Sequence, residues 1–340
     1  MKRVAGIAAV IALVTAAWLW RAELLRFVPT PLLPVPAHEQ YAAALALAGL
    51  STTDAGRTWL EAAGHALEQP VEASPWFSTT ARLDDAPAAV VAWRFPARRG
   101  QRVTIEMGGP VDTVFLDLFA ADGSNRVAGA APRSSTLSHV VEADGELIAR
   151  AQPRLLLVEP RQDSGTPAPA PRPVIGTTGD SPVGSYEIRQ RLEASLAFPV
   201  DGVGEHAVQS GFGAARDAGR RRHEGIDIFA PRGTPVVAAA DGWVTRQTTN
   251  RLGGNVVWLW APSRRVSLYY AHLDRQAVTP GERVAAGEVI GYVGNTGNAA
   301  RSAPHLHFGV YASLAGAVDP WPFVVDPVMR PQRPETRKRR

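Results

Sequence analysis

The sequence predicts a mainly β chain: a β-sandwich over residues 81–190, then an antiparallel β domain over residues 191–326. A transmembrane helix (residues 1–26) and a Pro-rich spacer with a helical hairpin (residues 27–80) precede them, and a basic tail (residues 327–340) follows. Three observations carry this reading. From Ala81 to Ile188, short apolar runs are broken by Gly, Asp and Pro roughly every ten residues, the spacing of sandwich strands and their turns. Beyond Phe198 the chain stays rich in β-formers, with Gly-Thr-Pro and Ala-Gly turns and no long helical period. At the N-terminus one uninterrupted apolar run, Val4 to Trp20, follows Lys2 and Arg3.

That run of about 17 residues reaches roughly 25 Å as a helix, near the short limit for crossing a bilayer core. Positive charge ahead of it keeps the N-terminus in the cytoplasm and sends the rest of the chain across. A cleaved signal peptide is the competing reading, but Ala17-Trp18-Leu19-Trp20 puts bulky residues where a peptidase needs small ones. The expectation is a single-pass anchor in the inner (cytoplasmic) membrane, with the body in the periplasm or extracytoplasmic space.

Pro29, Pro31, Pro34 and Pro36 make an extended spacer. His38 to Leu50 is Ala/Leu-rich, and a capping cluster at Ser51–Asp54 opens a second helical pattern with Trp59, Leu60 and Leu67 before Pro70. The sandwich strands are expected at Val90–Phe95, Arg102–Glu106, Val114–Phe119, Leu137–Val141, Glu146–Arg150 and Leu155–Val158. A Pro/Gly/Thr-rich insert at residues 163–183 precedes a last strand at Tyr186–Ile188. In arrangement this region resembles the jelly-roll-like domains that accompany many secreted peptidases. Its one histidine, His139, reads as an ordinary strand residue, and the region as a spacer or binding module.

A formal net charge of +4 is too small to argue for nucleic acid. Much of the excess lies in Arg330, Arg333, Arg337, Lys338, Arg339 and Arg340, expected as a solvated, disordered tail, with contact to anionic lipid or cell-wall polymer as the alternative reading. The chain has no cysteine, so disulfides, thiolate catalysis and Cys-ligated zinc are excluded.

Four of the eight histidines fall in three short phrases: His223-Glu-Gly-Ile-Asp227, Tyr270-Ala-His272-Leu273 and Pro304-His305-Leu306-His307-Phe308. Imidazole and carboxylate suit zinc, whose catalytic sites take three protein ligands and leave one position open. A His and an Asp four residues apart are weak evidence alone. The His305-Leu-His307 phrase is stronger, because residues two apart on a strand share a face, leaving Leu306, Phe308 and Val310 for the core. There is no His-Glu-x-x-His and no Gly-x-Ser-x-Gly, so thermolysin-like and serine-hydrolase sites are not available.

These phrases resemble the lysostaphin-type zinc metalloendopeptidases, a family of peptidoglycan hydrolases. Ser210-Gly-Phe-Gly213, Gly225-Ile-Asp-Ile228, Gly233-Thr-Pro-Val236, Ala240-Asp-Gly242 and the stretch Gly281–Gly297 match that family's framework, in order, from about Phe198 to Phe323. The resemblance implies one Zn2+ per chain held by His223, Asp227 and His307. It implies that His272 and His305 stand beside the attacking water and move protons without binding metal. It also implies peptidoglycan stem peptides as substrate. Where the family often carries a tyrosine before the first ligand, this chain has Arg216 and Asp217. The rival readings are a non-catalytic scaffold of the same fold that activates another wall hydrolase, and a protease acting on proteins outside the wall. Gly294, Gly297 and Asn298 are expected in the cleft wall. Trp243, Trp258 and Trp260 are expected in the core or on the sheet surface, with sugar stacking as the alternative.

Overall fold

A computed structural model describes residues 37–82, 89–109, 114–131, 133–158, 172–175, 185–313 and 315–327. The expected anchor, nearly all of the Pro-rich spacer and nearly all of the basic tail lie outside the described residues. Among the described residues no helix is long and apolar enough to cross a membrane. The chain divides into two compact units, Met1–Thr53 and Asp54–Arg340. The division falls between the two expected helices. In the first unit, Ala37–Leu47 is α-helical and Leu50–Thr52 forms a 3-10 turn.

The second unit opens with the helix Asp54–Glu68, which buries Trp59 and Ala63, four residues apart, on one face. That face lies on the outer side of a five-stranded sheet ordered Val71–Glu72, Val91–Ala97, Gly145–Pro153, Val114–Ala120, Arg126–Gly129. The Trp59 indole donates to the Pro153 carbonyl at 2.6 Å, and Ala66 and Leu67 pack on Phe119 and Ile148. Covered on both faces, the Val114–Ala120 strand is buried at every position but the last, which explains its unbroken apolar reading.

A four-stranded sheet, ordered Trp76–Arg82, Ser185–Ala194, Gln101–Gly108, Thr136–Val140, closes the sandwich. Trp93, Phe95, Ile105, Leu118, Tyr186 and Ile188 fill the space between the sheets. The sandwich is wider than its sequence pattern. Trp76–Arg82, whose Ser and Thr residues alternate weakly, is a full strand paired with Ser185–Ala194. That partner runs past residue 190 because it also pairs along Gln101–Gly108. His139 sits in an ordinary strand position opposite Val103.

Beyond residue 194 an antiparallel sheet runs in the order Val208–Ser210, Ile226–Phe229, His305–Ala312, Val266–Leu273, Gly254–Ala261, Gly242–Asn250, Arg283–Val284. Gly316–Val318 pairs the His305–Ala312 strand off this path. A small three-stranded sheet of Pro235–Val237, Val289–Tyr292 and Arg275–Gln276 shares its core. Val236 and Ile290 from the small sheet and Tyr270, Leu306, Phe308 and Val310 from the large one are buried together. One face of the large sheet is therefore core. The opposite face is left to carry chemistry.

The sandwich and this sheet join through residues that do not line that face. Arg98 pairs with Asp319 at 2.9 Å, the Ala194 amide donates to Asp326 Oδ1 at 2.7 Å, and the Phe323 ring lies against Gly100.

Candidate metal centre

Three strands deliver the site. Ile226–Phe229 and His305–Ala312 pair so that Asp227 stands directly opposite His307, and the latter strand pairs Ala271 with His307 on its other side. His223 lies in the turn just ahead of Ile226. His223 Nε2, Asp227 Oδ1 and His307 Nδ1 form a nearly equilateral triangle: 2.9 Å between the two rings, 2.9 Å from His223 to Asp227, and 3.0 Å from His307 to Asp227. Gly225 makes room for it. A β-carbon there would stand 2.4 Å from the Phe308 carbonyl oxygen and 2.8 Å from the His307 ring, so a side chain at that position would push the ring aside.

The proton inventory of this triangle can be read from its neighbours. His223 Nδ1 lies 2.8 Å from the Gly211 carbonyl. A carbonyl only accepts, so that nitrogen carries the hydrogen and Nε2 keeps its lone pair. Burial lowers His307, against the pull of Asp227. His223 Nε2 and Asp227 Oδ1, both bearing lone pairs, converge with His307 Nδ1 within 3.0 Å, an arrangement that a positive ion among them would stabilise. Ligands about 2.0–2.1 Å from a tetrahedral ion would sit roughly 3.3 Å apart, close to what is found here. The donor set of two imidazoles and one carboxylate fits zinc, and among the described residues no other group of three potential ligands converges in this way.

His272 and His305 stand beside the triangle. Their ring centroids are 5.1 Å apart, and His272 is 5.9 Å from His307. Each ring's Nδ1 faces a carbonyl at 2.9 Å: Thr296 for His272 and Ala303 for His305. By the same argument each keeps its hydrogen on Nδ1 and an acceptor lone pair on Nε2. Phe229 stacks on His305 at 4.9 Å. His272 is pushed down to about 4, chiefly by burial and then by His307 and His305, which keeps it neutral at pH 7. Its backbone sits at φ 62°, a left-handed conformation that costs a residue with a β-carbon about 1–2 kcal/mol. The His272 amide bond to the Gly253 carbonyl at 2.7 Å and the side-chain bond to Thr296 hold it there.

A cleft of about 520 Å³ opens over these five side chains, which were all expected at a site. Asn298 lines it as expected; Gly294 and Gly297 do not, and instead take close backbone contacts with Asp274 and Gly254. Trp258 is a cleft residue. It packs at 4.5 Å on Tyr269 and 5.0 Å on Tyr311, and Tyr269 presents its edge to His307 at 5.8 Å. The cross-strand register pairs Trp258 with Tyr269, a signal that single-strand reading misses. Arg216 is the other addition. A short hairpin of Ala215–Arg216 with Arg221–Arg222 carries its guanidinium to 2.7 Å from Asp227 Oδ2 and 2.7 Å from Ser210 Oγ.

With this geometry in view, residues 221–320 match the family model described as Peptidase family M23. This stretch is an M23 peptidase domain. It is 41% identical over 88 residues to the peptidoglycan DD-endopeptidase ShyC of Vibrio cholerae, a match covering 26% of this chain and 20% of that protein. The chain is also 36% identical over 137 residues to the L-Ala--D-Glu endopeptidase of Bacillus subtilis, covering 37% of this chain and 42% of that protein. The chain thus spans less than half the length of these relatives. The solved catalytic domain of lysostaphin from Staphylococcus simulans is 35% identical, with 33% of this chain and 87% of that domain covered and a TM-score of 0.30. The M23 match contains all five histidine and aspartate positions described above.

Proposed function

We propose that this protein is a zinc-dependent endopeptidase that cuts peptide cross-links of peptidoglycan outside the cytoplasmic membrane. The observation that carries this is the meeting of His223 Nε2, Asp227 Oδ1 and His307 Nδ1 within 3.0 Å beside two further histidines with orienting carbonyls. His223, Asp227 and His307 would hold the ion. When bound, zinc supplies Lewis acidity, polarising a carbonyl oxygen and acidifying water toward a pKa of about 7.

The chain's own residues supply the proton movement. His305 Nε2, its Nδ1 hydrogen fixed on Ala303, takes a proton from the attacking water and returns one to the leaving amine. His272 Nε2 is an acceptor of the same tautomer; burial keeps the ring neutral, so it accepts a hydrogen bond and adds no positive charge beside the ligands. Ala271, opposite His307, keeps the cleft floor low enough for a peptide. The extracytoplasmic location rests on the Lys2/Arg3-flanked apolar run, and peptidoglycan as substrate on what the relatives' names say they cut. The sandwich would position the M23 domain at the wall. A non-catalytic scaffold is disfavoured, since none of the five site side chains is replaced.

The test is digestion of purified muropeptides by the zinc-loaded protein, with the new termini identified by mass. New amine and carboxyl ends at a stem-peptide bond, lost after chelation, are the expected result. Intact muropeptides, with stimulation of a separate wall hydrolase, would move the protein to the scaffold reading.

A further inference from the structure

We infer that Arg216 is a positioning residue that makes Asp227 a one-oxygen ligand, keeping a coordination position open for substrate. The inference rests on the metal-site reading above and extends it to a residue outside the ligand set. The two oxygens of Asp227 have different surroundings. Oδ1 faces His223 and His307 at 2.9 and 3.0 Å. Oδ2 accepts a charge-assisted bond from Arg216 Nη2 at 2.7 Å. The same nitrogen donates to Ser210 Oγ, also at 2.7 Å, so both of its hydrogens are committed.

Three features make this a built contact. Ser210 pairs with Asp227 across two neighbouring strands, so the guanidinium spans two elements that the sheet already fixes. Asp217 and Ala218, just after Arg216, adopt left-handed conformations at φ 50° and 55°, turning the chain tightly enough for Arg216 to lie over the carboxylate. Asp227 is buried while Arg216 is only partly so, with 29% of its side chain exposed on the cleft wall.

A carboxylate can bind a metal through one oxygen or two. A second Asp227 oxygen on the ion would fill the position that a catalytic zinc leaves for water or substrate. Swinging Oδ2 inward would break the bond to a partly desolvated arginine, and ligand-orienting contacts of this kind tune metal sites. The position where the resembled family often carries a tyrosine thus holds a group that acts through a ligand.

The test loads the full chain with cobalt(II) and reads its visible d–d absorption, which is strong for four-coordinate and several-fold weaker for five- or six-coordinate cobalt. The wild type is expected to give the strong band. Arg216→Met, which keeps an unbranched apolar stem and removes every donor, is expected to give the weak one, and Arg216→Lys, which keeps a cationic donor, to retain the strong one. Arg216→Ala is the second donor-free variant should the methionine disturb folding, with the thermal melt of each metal-free protein as control. A donor-free, folded variant whose band matches the wild type overturns this inference and leaves the metal site standing. A wild type that binds no cobalt overturns both.

Discussion

Two buried aspartates show how differently one residue type can be used in this molecule. Asp117, in the sandwich, accepts from Arg126 through Oδ1 at 2.8 Å and from Arg150 through Oδ2 at 2.9 Å. Arg150 also reaches the Ala63 carbonyl of the covering helix and lies over the Phe119 ring. Both oxygens are capped by cations, and a helix closes over them. Asp227 has only its outer oxygen capped by a cation; the inner one faces two imidazoles at 2.9 and 3.0 Å. The first cluster is complete as a piece of structure. The second gathers two imidazole nitrogens and one carboxylate oxygen around a single point, a donor set that fits a metal ion.

If this contrast is right, substitutions at the two aspartates should fail in different ways. The largest effect is expected on catalysis: Asp227→Ala, His223→Ala or His307→Ala should lower muropeptide cleavage by on the order of 10⁴-fold or more. Thermal melts of the metal-free forms should stay close to wild type, and a wild-type rate in any one would remove that residue from the ligand set. His305→Ala should lower turnover by about 10²–10⁴-fold while keeping its metal, since the proton carrier is lost and the ligands are not. A metal-free His305→Ala protein would show that the division between ligands and bases is drawn in the wrong place.

Asp117→Ala should leave the metal bound and cost about 3–5 kcal/mol in denaturant unfolding, because Arg150 would be left buried without its counter-charge. A near-neutral result would mean that the sandwich cluster is solvated and that the contrast is weaker than stated. The smallest effect concerns acid. His272 has a folded value of about 4 against about 6.5 in the unfolded chain. The unfolded chain therefore binds the proton first, and this group withdraws stability as pH falls from about 6.5 to about 4, by up to about 3 kcal/mol. In chelated protein, His272→Phe should flatten that part of the stability curve; an unchanged slope would assign it to other groups.

The same two regions differ in how much of them was legible beforehand. His305 and His307 announced a common face because strand side chains alternate, and Leu306, Phe308 and Val310 are indeed fully buried behind them. The strand Val114–Ala120 hid its alternation, since a helix far back in the sequence buries the face a two-layer sandwich would expose. Trp76–Arg82 gave little signal because most of its side chains are exposed or half-buried and its pairing partner lies about a hundred residues on. Arg216 could be named from its position relative to His223. Its contact with Asp227, however, depends on a tight hairpin and on the register between two strands, which no spacing rule encodes. Trp258 likewise read as core or sheet surface, with sugar stacking as the alternative, and only the pairing with Tyr269 brings it to the cleft.

The most direct test of the account is the zinc content of the purified full chain beside Asp227→Asn, measured by elemental analysis after removal of loosely bound metal. One zinc per chain is expected in the wild type and essentially none in the variant. A metal-free wild type after zinc loading, or equal zinc in both proteins, would contradict it.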